Sequence, residues 1–260
     1  LMNPSFLAFD RTGAMLYAVH GDGSEVSAFR IDPGAGTLSF VNQVSSGGRN
    51  PVHLAVDRAN AHVVIANHIT RDAHVSGLAV IALEADGRLG AMTDQLAFAG
   101  TPGPHRSEQP FAKPHQCQFD PSGAVFAVPD KGLDETVCYR LDGAGRLSRV
   151  AGLAAASREG EGPRHITFHP GAPYAYVVNE LSSTLTACRF EVASGVLQPF
   201  QVLSCLPDSF TGFSRAAEIE ISADGRFVYA SNRGYDSIGI FAVDAASGRL
   251  SPLVWADSGG

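Results

Sequence analysis

Glu180, Arg164, His115 and Arg233 are charged or titratable groups where the local sequence requires none. Glu180 follows the apolar run Tyr174-Ala175-Tyr176-Val177-Val178-Asn179, and Arg164 lies between Pro163 and His165. His115 follows Lys113-Pro114, and Arg233 follows Asn232 at the end of another apolar run. A carboxylate and an imidazole can move a proton, and guanidinium groups grip an anion through paired hydrogen bonds. Lys113, Lys131, His165, Asn179, Glu218 and Asn232 occupy adjacent or equivalent positions and are expected to complete the contacts to a substrate. This mixture of base and cations suits an anionic substrate and a reaction that transfers a proton.

Residues more than 100 positions apart can share a site only if the fold repeats. A block of about 40 residues recurs five times, beginning near Pro4, Pro51, Pro114, Pro163 and Ala217. Each copy opens with a short apolar run and a polar turn, usually of Asp-x-x-Gly type. A second apolar run ends on His20, Asn67, Asp130, Asn179 or Asn232. A third run follows, and Gly36-x-Leu38, Gly87-x-Leu89, Gly145-x-Leu147, Gly195-x-Leu197 or Gly248-x-Leu250 closes the copy. Short strands at this period predict an all-β propeller, each copy one four-stranded antiparallel blade.

Antiparallel pairing then sorts the loops. The start of a first strand and the end of a second strand lie on one face of the disc, and the Asp-x-x-Gly turn lies on the other. His115, Arg164 and Glu218, at first-strand starts, should therefore meet Lys131, Glu180 and Arg233, at second-strand ends. The longer connections, His68–Gly77, Thr101–Lys113 and Pro207–Arg215, are expected around the same mouth, where binding residues usually sit. Asp10, Asp57, Asp120 and Asp224 belong to tight turns and cap their own backbone. Asn67, Asn179 and Asn232 can also satisfy turn amides. His68 and His74 flank a loop, but no third ligand at suitable spacing makes them a metal site.

Composition narrows the classes. The 260 residues, 45% apolar, are enough for a large core in a single domain. A net charge of −7 without a Lys/Arg-rich run argues against nucleic acid as a partner. No stretch of 18 apolar residues is present to span a membrane, and no signal peptide is visible. Cys117, Cys138, Cys188 and Cys205 form no C-x-x-C pair and read as free buried thiols, which favours a cytoplasmic protein.

The motifs KPHQCQFDPSG, VPDKGLD, GPRHITFHP, YVVNELSSTLTA, LPDSFTG and YASNRGYDSI also carry a family likeness. The chain resembles the seven-bladed propeller lactonases, a family that includes 6-phosphogluconolactonases and carboxy-cis,cis-muconate cyclases. The resemblance implies His115, Arg164, Glu180 and Arg233 as the catalytic group. It also implies a small anionic lactone as substrate, a place in carbohydrate metabolism such as the pentose phosphate pathway, and no metal or redox cofactor. One departure is Lys113, where the family often has a second histidine beside His115. Another is the count of five repeats instead of seven, from which a single propeller domain over residues 1–260, truncated at both ends and forming an open arc with exposed apolar faces, is expected. Lactone hydrolysis, with Glu180 or His115 as base, Arg164 on the oxyanion and Arg233 with Lys131 on a phosphate or carboxylate, is the leading expectation. Lactonisation of a carboxylated muconate is the alternative within enzymes, and a non-catalytic binding propeller is the alternative outside them.

Overall fold

The structure, a computed structural model, describes residues 3–69, 76–151 and 155–259. His74 and most of the His68–Gly77 loop lie outside the described residues. The described chain contains strands and no helix, arranged as five separate sheets. Blade one is β1 (Pro4–Phe9), β2 (Met15–His20), β3 (Glu25–Asp32) and β4 (Thr37–Ser45). Blade two is β5 (Arg49–Val56), β6 (His62–Ile69), β7 (Gly77–Leu83) and β8 (Leu89–Ala97). Blade three is β9 (Gln118–Phe119), β10 (Phe126–Asp130), β11 (Glu135–Leu141) and β12 (Leu147–Arg149), with β13 (Ala155–Ala156) added to β11. Blade four is β14 (Pro163–Phe168), β15 (Tyr174–Asn179), β16 (Thr184–Glu191) and β17 (Val196–Ser204). Blade five is β18 (Arg215–Ile221), β19 (Phe227–Arg233), β20 (Ser237–Val243) and β21 (Leu250–Asp257).

The blades start where the repeats place them, with one irregularity. In blade three, Pro114 makes only an isolated bridge with Asp130, and the first strand proper begins at Gln118. His115 donates its N–H to the Pro129 carbonyl at 2.9 Å, but Pro129 has no N–H to return, so the ladder is interrupted there.

Every first strand carries one extra residue near its start. The register jumps between Pro4 and Phe6, Pro51 and His53, Pro163 and His165, and Ala216 and Ile219. Blade three keeps the pattern, since Pro114 pairs with Asp130 and Gln118 with Ala127, four steps against three. Such a bulge leaves one residue unpaired and re-aims its side chain. In blade four that residue is Arg164.

The core consists of layers between neighbouring blades. Met15, Tyr17 and Val19 pack on Leu54, Val63 and Ile65, while Val64 and Leu78 pack on Phe126 and Tyr139. Val125 and Ala127 meet Ile166 and Phe168, and Tyr174 and Tyr176 meet Ile219 and Phe241. The closing glycines fit tightly into this stacking. Gly248 has φ +70°, and a Cβ there would lie 2.5 Å from the Tyr174 ring, so neither its backbone nor its space accepts another residue. No strand of blade five pairs with blade one among the described residues. Leu7, Phe9 and Phe40 of blade one and Leu253 of blade five are exposed.

Candidate active site

The ends of β2, β6, β10, β15 and β19 each contribute two consecutive residues to one mouth. The first of each pair is a structural group. Asn67 and Asn232 donate their amides to the Ser46 and Cys205 carbonyls, fastening each second strand to the connection from the preceding blade. Asp130 Oδ1 accepts the N–H groups of Lys113, Gly132 and Leu133, and burial nevertheless holds its carboxyl up at about 7. Asn179 is fully buried and donates to Thr184 and Thr186. Asn179 and Asn232, expected as substrate contacts, are buried and spend their Nδ2 groups on strands and turns, while the Oδ1 of each is buried without a partner among the described residues.

The second residue of each pair varies: Gly21, His68, Lys131, Glu180 and Arg233. Glu180, only 3% exposed, is the centre of the site. Its Oε1 accepts a hydrogen bond from Lys131 Nζ at 2.6 Å and lies 3.7 Å from Arg215 Nη1. Its Oε2 lies 3.1 Å from Arg164 Nε, off the line of a hydrogen bond, and 3.3 Å from Arg233 Nη2. Burial alone would raise this carboxyl, but Lys131, Arg233 and Arg164 outweigh it and hold Glu180 below the ordinary carboxylate value.

Glu108 is a second carboxylate at this mouth. It bonds Lys131 Nζ at 2.9 Å and Arg215 Nη2 at 2.9 Å, and those bonds hold it at about 2 against its burial. Four cations thus surround two carboxylates, a local balance of +2 in a chain whose net charge is −7. Lys113 makes no ion pair within this set, sits near Phe111, and has its ammonium pKa lowered by burial and then by Lys131. Glu108 and Arg215 were not identified from the sequence. Glu108 belongs to the Thr101–Lys113 connection, which the repeat places at this mouth, but no repeat position marks it out. Gln109 pins that connection by donating to the Lys131 carbonyl.

The histidines form a second group beside the cations. His115 Nδ1 is 3.2 Å from His165 Nε2, and His165 Nδ1 is 2.6 Å from Glu218 Oε1. Arg164 joins the two groups: Nη1 donates to the Ala217 carbonyl at 2.7 Å and lies 3.4 Å from His165 Nε2. Burial lowers the pKa of His115 and His165, and Arg164 adds to both shifts. The His68 ring lies tilted against His115, centroids 4.8 Å apart, and is driven to about 3 by burial and the nearby lysines. His165 and Glu218, expected as substrate contacts, face each other in the structure. The structure brings all ten residues expected at the site to this region, with Asn179 and Asn232 buried in it. Among the described residues, no cluster of three His, Cys, Asp or Glu side chains is placed to hold a metal ion.

An all-β propeller with an arginine-rich, histidine-bearing mouth is the class that fold and site define. The model of the seven-bladed β-propeller lactonases matches residues 1–260, and the chain belongs to that family. It is 36% identical over 255 residues to a 6-phosphogluconolactonase of Bacillus subtilis, covering 96% of this chain and 70% of that protein. A 6-phosphogluconolactonase of Formosa agariphila is 31% identical, again over 96% of this chain and 70% of the relative. Among solved structures, the periplasmic gluconolactonase of Pseudomonas aeruginosa superposes with a TM-score of 0.90 at 28% identity, covering 99% of this chain and 73% of that one.

Proposed function

We propose that the chain hydrolyses a sugar lactone carrying an anionic group, with 6-phosphogluconolactone as the leading substrate. The observation that carries this reading is the buried, ionised Glu180 gathering Lys131, Arg164, Arg215 and Arg233 beside the neutral His115. The names and structures of the relatives support the lactone. The surplus of positive charge supports an anionic substituent on it.

Within this reading the roles divide among the residues. Glu180 is a poor base, because taking a proton would forfeit its attraction to four cations. It serves as the counter-charge that fixes the guanidinium groups. His115, neutral and adjacent to Arg164, is the better base for drawing a proton from water. Hydroxide adds to the lactone carbonyl, and Arg164 stabilises the oxyanion. The ring C–O bond then breaks, and the leaving oxygen takes the proton back from His115. In this reading Arg233, whose side chain is half exposed, and Lys113, which makes no ion pair among the described residues, hold the substrate anion. Lys131, 5% exposed and bonded to both Glu108 and Glu180, holds the site together instead. A cytoplasmic location belongs to this reading and is supported by four free, buried cysteines.

The test is hydrolysis of 6-phosphogluconolactone against a buffer blank, with δ-gluconolactone and a carboxylated muconate in parallel. Turnover of the phosphorylated lactone above the others is expected. A rate equal to the blank on both lactones would overturn the reading, and lactonisation of the muconate alone would move the assignment to a cyclase.

A further inference from the structure

A base needs its lone pair on the correct nitrogen, and a buried imidazole needs somewhere to put the charge it gains. Both requirements are met from behind His115. Glu218 can only accept a hydrogen bond from His165 when ionised, so the 2.6 Å contact places the His165 proton on Nδ1. His165 Nε2 then carries the lone pair. Arg164 Nη1, which can only donate, approaches that same nitrogen at 3.4 Å, in agreement. The remaining partner of Nε2, His115 Nδ1 at 3.2 Å, must be the donor. The lone pair of His115 is thereby left on Nε2.

We propose that His165 and Glu218 are positioning residues for His115, locking its tautomer and sharing the positive charge it acquires during lactone hydrolysis. The inference rests on the lactonase reading above. His115 Nε2 takes the proton from water, and the Nδ1 proton moves to His165 Nε2. The imidazolium so formed lies against the Glu218 carboxylate, with its Nδ1–H still donated there. The same protons return when the leaving oxygen takes one from His115 Nε2, so the relay ends as it began. Charge left on His115 would face Arg164 and His68, whereas charge on His165 faces a carboxylate. His165 also has Arg164 and His53 nearby, and Arg164 keeps its bond to the Ala217 carbonyl while the relay is charged.

The placement of Glu218 separates this role from substrate binding. Its side chain lies on the wall of a central cavity of about 600 Å³ that reaches the turns of the opposite face at Asp120 and Gly123. His165, by contrast, is 2% exposed. Glu218 is thus open to small solutes from behind.

Glu218→Gln is expected to lower kcat about 10- to 100-fold with KM within about twofold, and Glu218→Asp to recover part of the loss. Formate, small enough for the cavity, should restore turnover to Glu218→Ala. Nitrogen-15 shifts at pH 7 should show wild-type His115 protonated at Nδ1 and not at Nε2, with the tautomers mixed in Glu218→Gln. Wild-type kcat in Glu218→Gln, or a wild-type His115 protonated at Nε2, would overturn the proposal. The nitrogen-15 measurement needs neither a variant nor a substrate. It therefore reads the relay even if wild type turns over no lactone, a result that would count against the lactonase reading alone.

Discussion

The two faces of this propeller are built from the same repeats and treat them differently. On the far face, the residue after each first strand repeats one task. Asp10, Asp57, Asp120, His169 and Ser222 each donate a backbone N–H across the turn, to Met15, His62, Val125, Tyr174 and Phe227. The side chains of Asp10, Asp57 and Asp120 then accept N–H groups of the same turn, and Ser222 Oγ takes over that duty in blade five. On the near face, the equivalent repetition stops after one residue. The group ending each second strand is a buried, bonded side chain, and the next residue is glycine, histidine, lysine, glutamate or arginine. Repetition marks what closes a turn, and its failure marks what the site uses.

The contrast can be broken from either side. His115→Ala should cost the most, lowering kcat/KM by about 10²- to 10⁴-fold in steady-state kinetics. Glu180→Gln should lower turnover about 10²-fold. It should also destabilise the fold by up to about 3 kcal/mol, because cations then lose a buried counter-charge. The sequence alone, which sets Glu180 at a turn, suggests no such loss of stability. Arg233→Ala should raise KM about tenfold with little change in kcat, the loss of one charged hydrogen bond to the substrate.

Acid should act on the near face through its imidazoles. His53, His68, His115 and His165 are all held below the ordinary histidine value, so below about pH 6.5 the unfolded chain binds more protons than the folded one. Stability should fall with pH, each imidazole adding up to about 1.4 kcal/mol per unit. Asp130 opposes this, since at about 7 it keeps in the folded state a proton that the unfolded chain releases, and Glu161 and Glu220, raised by burial, act in the same sense, three groups against four. A urea midpoint at pH 5 equal to that at pH 7 would contradict the buried imidazoles. On the far face, Asp120→Ala should leave kinetics unchanged and lower stability by about 1–3 kcal/mol, read from the same denaturation curves. A change in KM there would erase the distinction between the faces.

Period and alternation made the blades legible in the sequence, and antiparallel geometry carried that to the grouping of Arg164, Glu180 and Arg233. What stayed hidden has physical causes. Glu108 sits in a connection between blades whose sequence does not follow the repeat, so no position in the repeat singles it out. Arg215 reads as the end of a loop, and only the pairing Arg215–Arg233 shows it opening β18. The delayed strand of blade three follows from a proline on its partner, not from its own residues. The pairing of His165 with Glu218 links neighbouring blades across 53 positions, and a strand pattern within either blade is silent about it.

The bulge near the start of each first strand gives the ring a set of interchangeable sockets. In a regular strand, exchanging one residue for another of different polarity sets a core face against a solvent face. At Ser5, Val52 and Arg164, and within Ala217-Glu218, the extra residue stands outside that alternation, while the ladder resumes beyond it. A scaffold arranged in this way can trade one side chain at the mouth for another without renegotiating its interior, so chemical specificity can drift from blade to blade while the architecture is inherited intact.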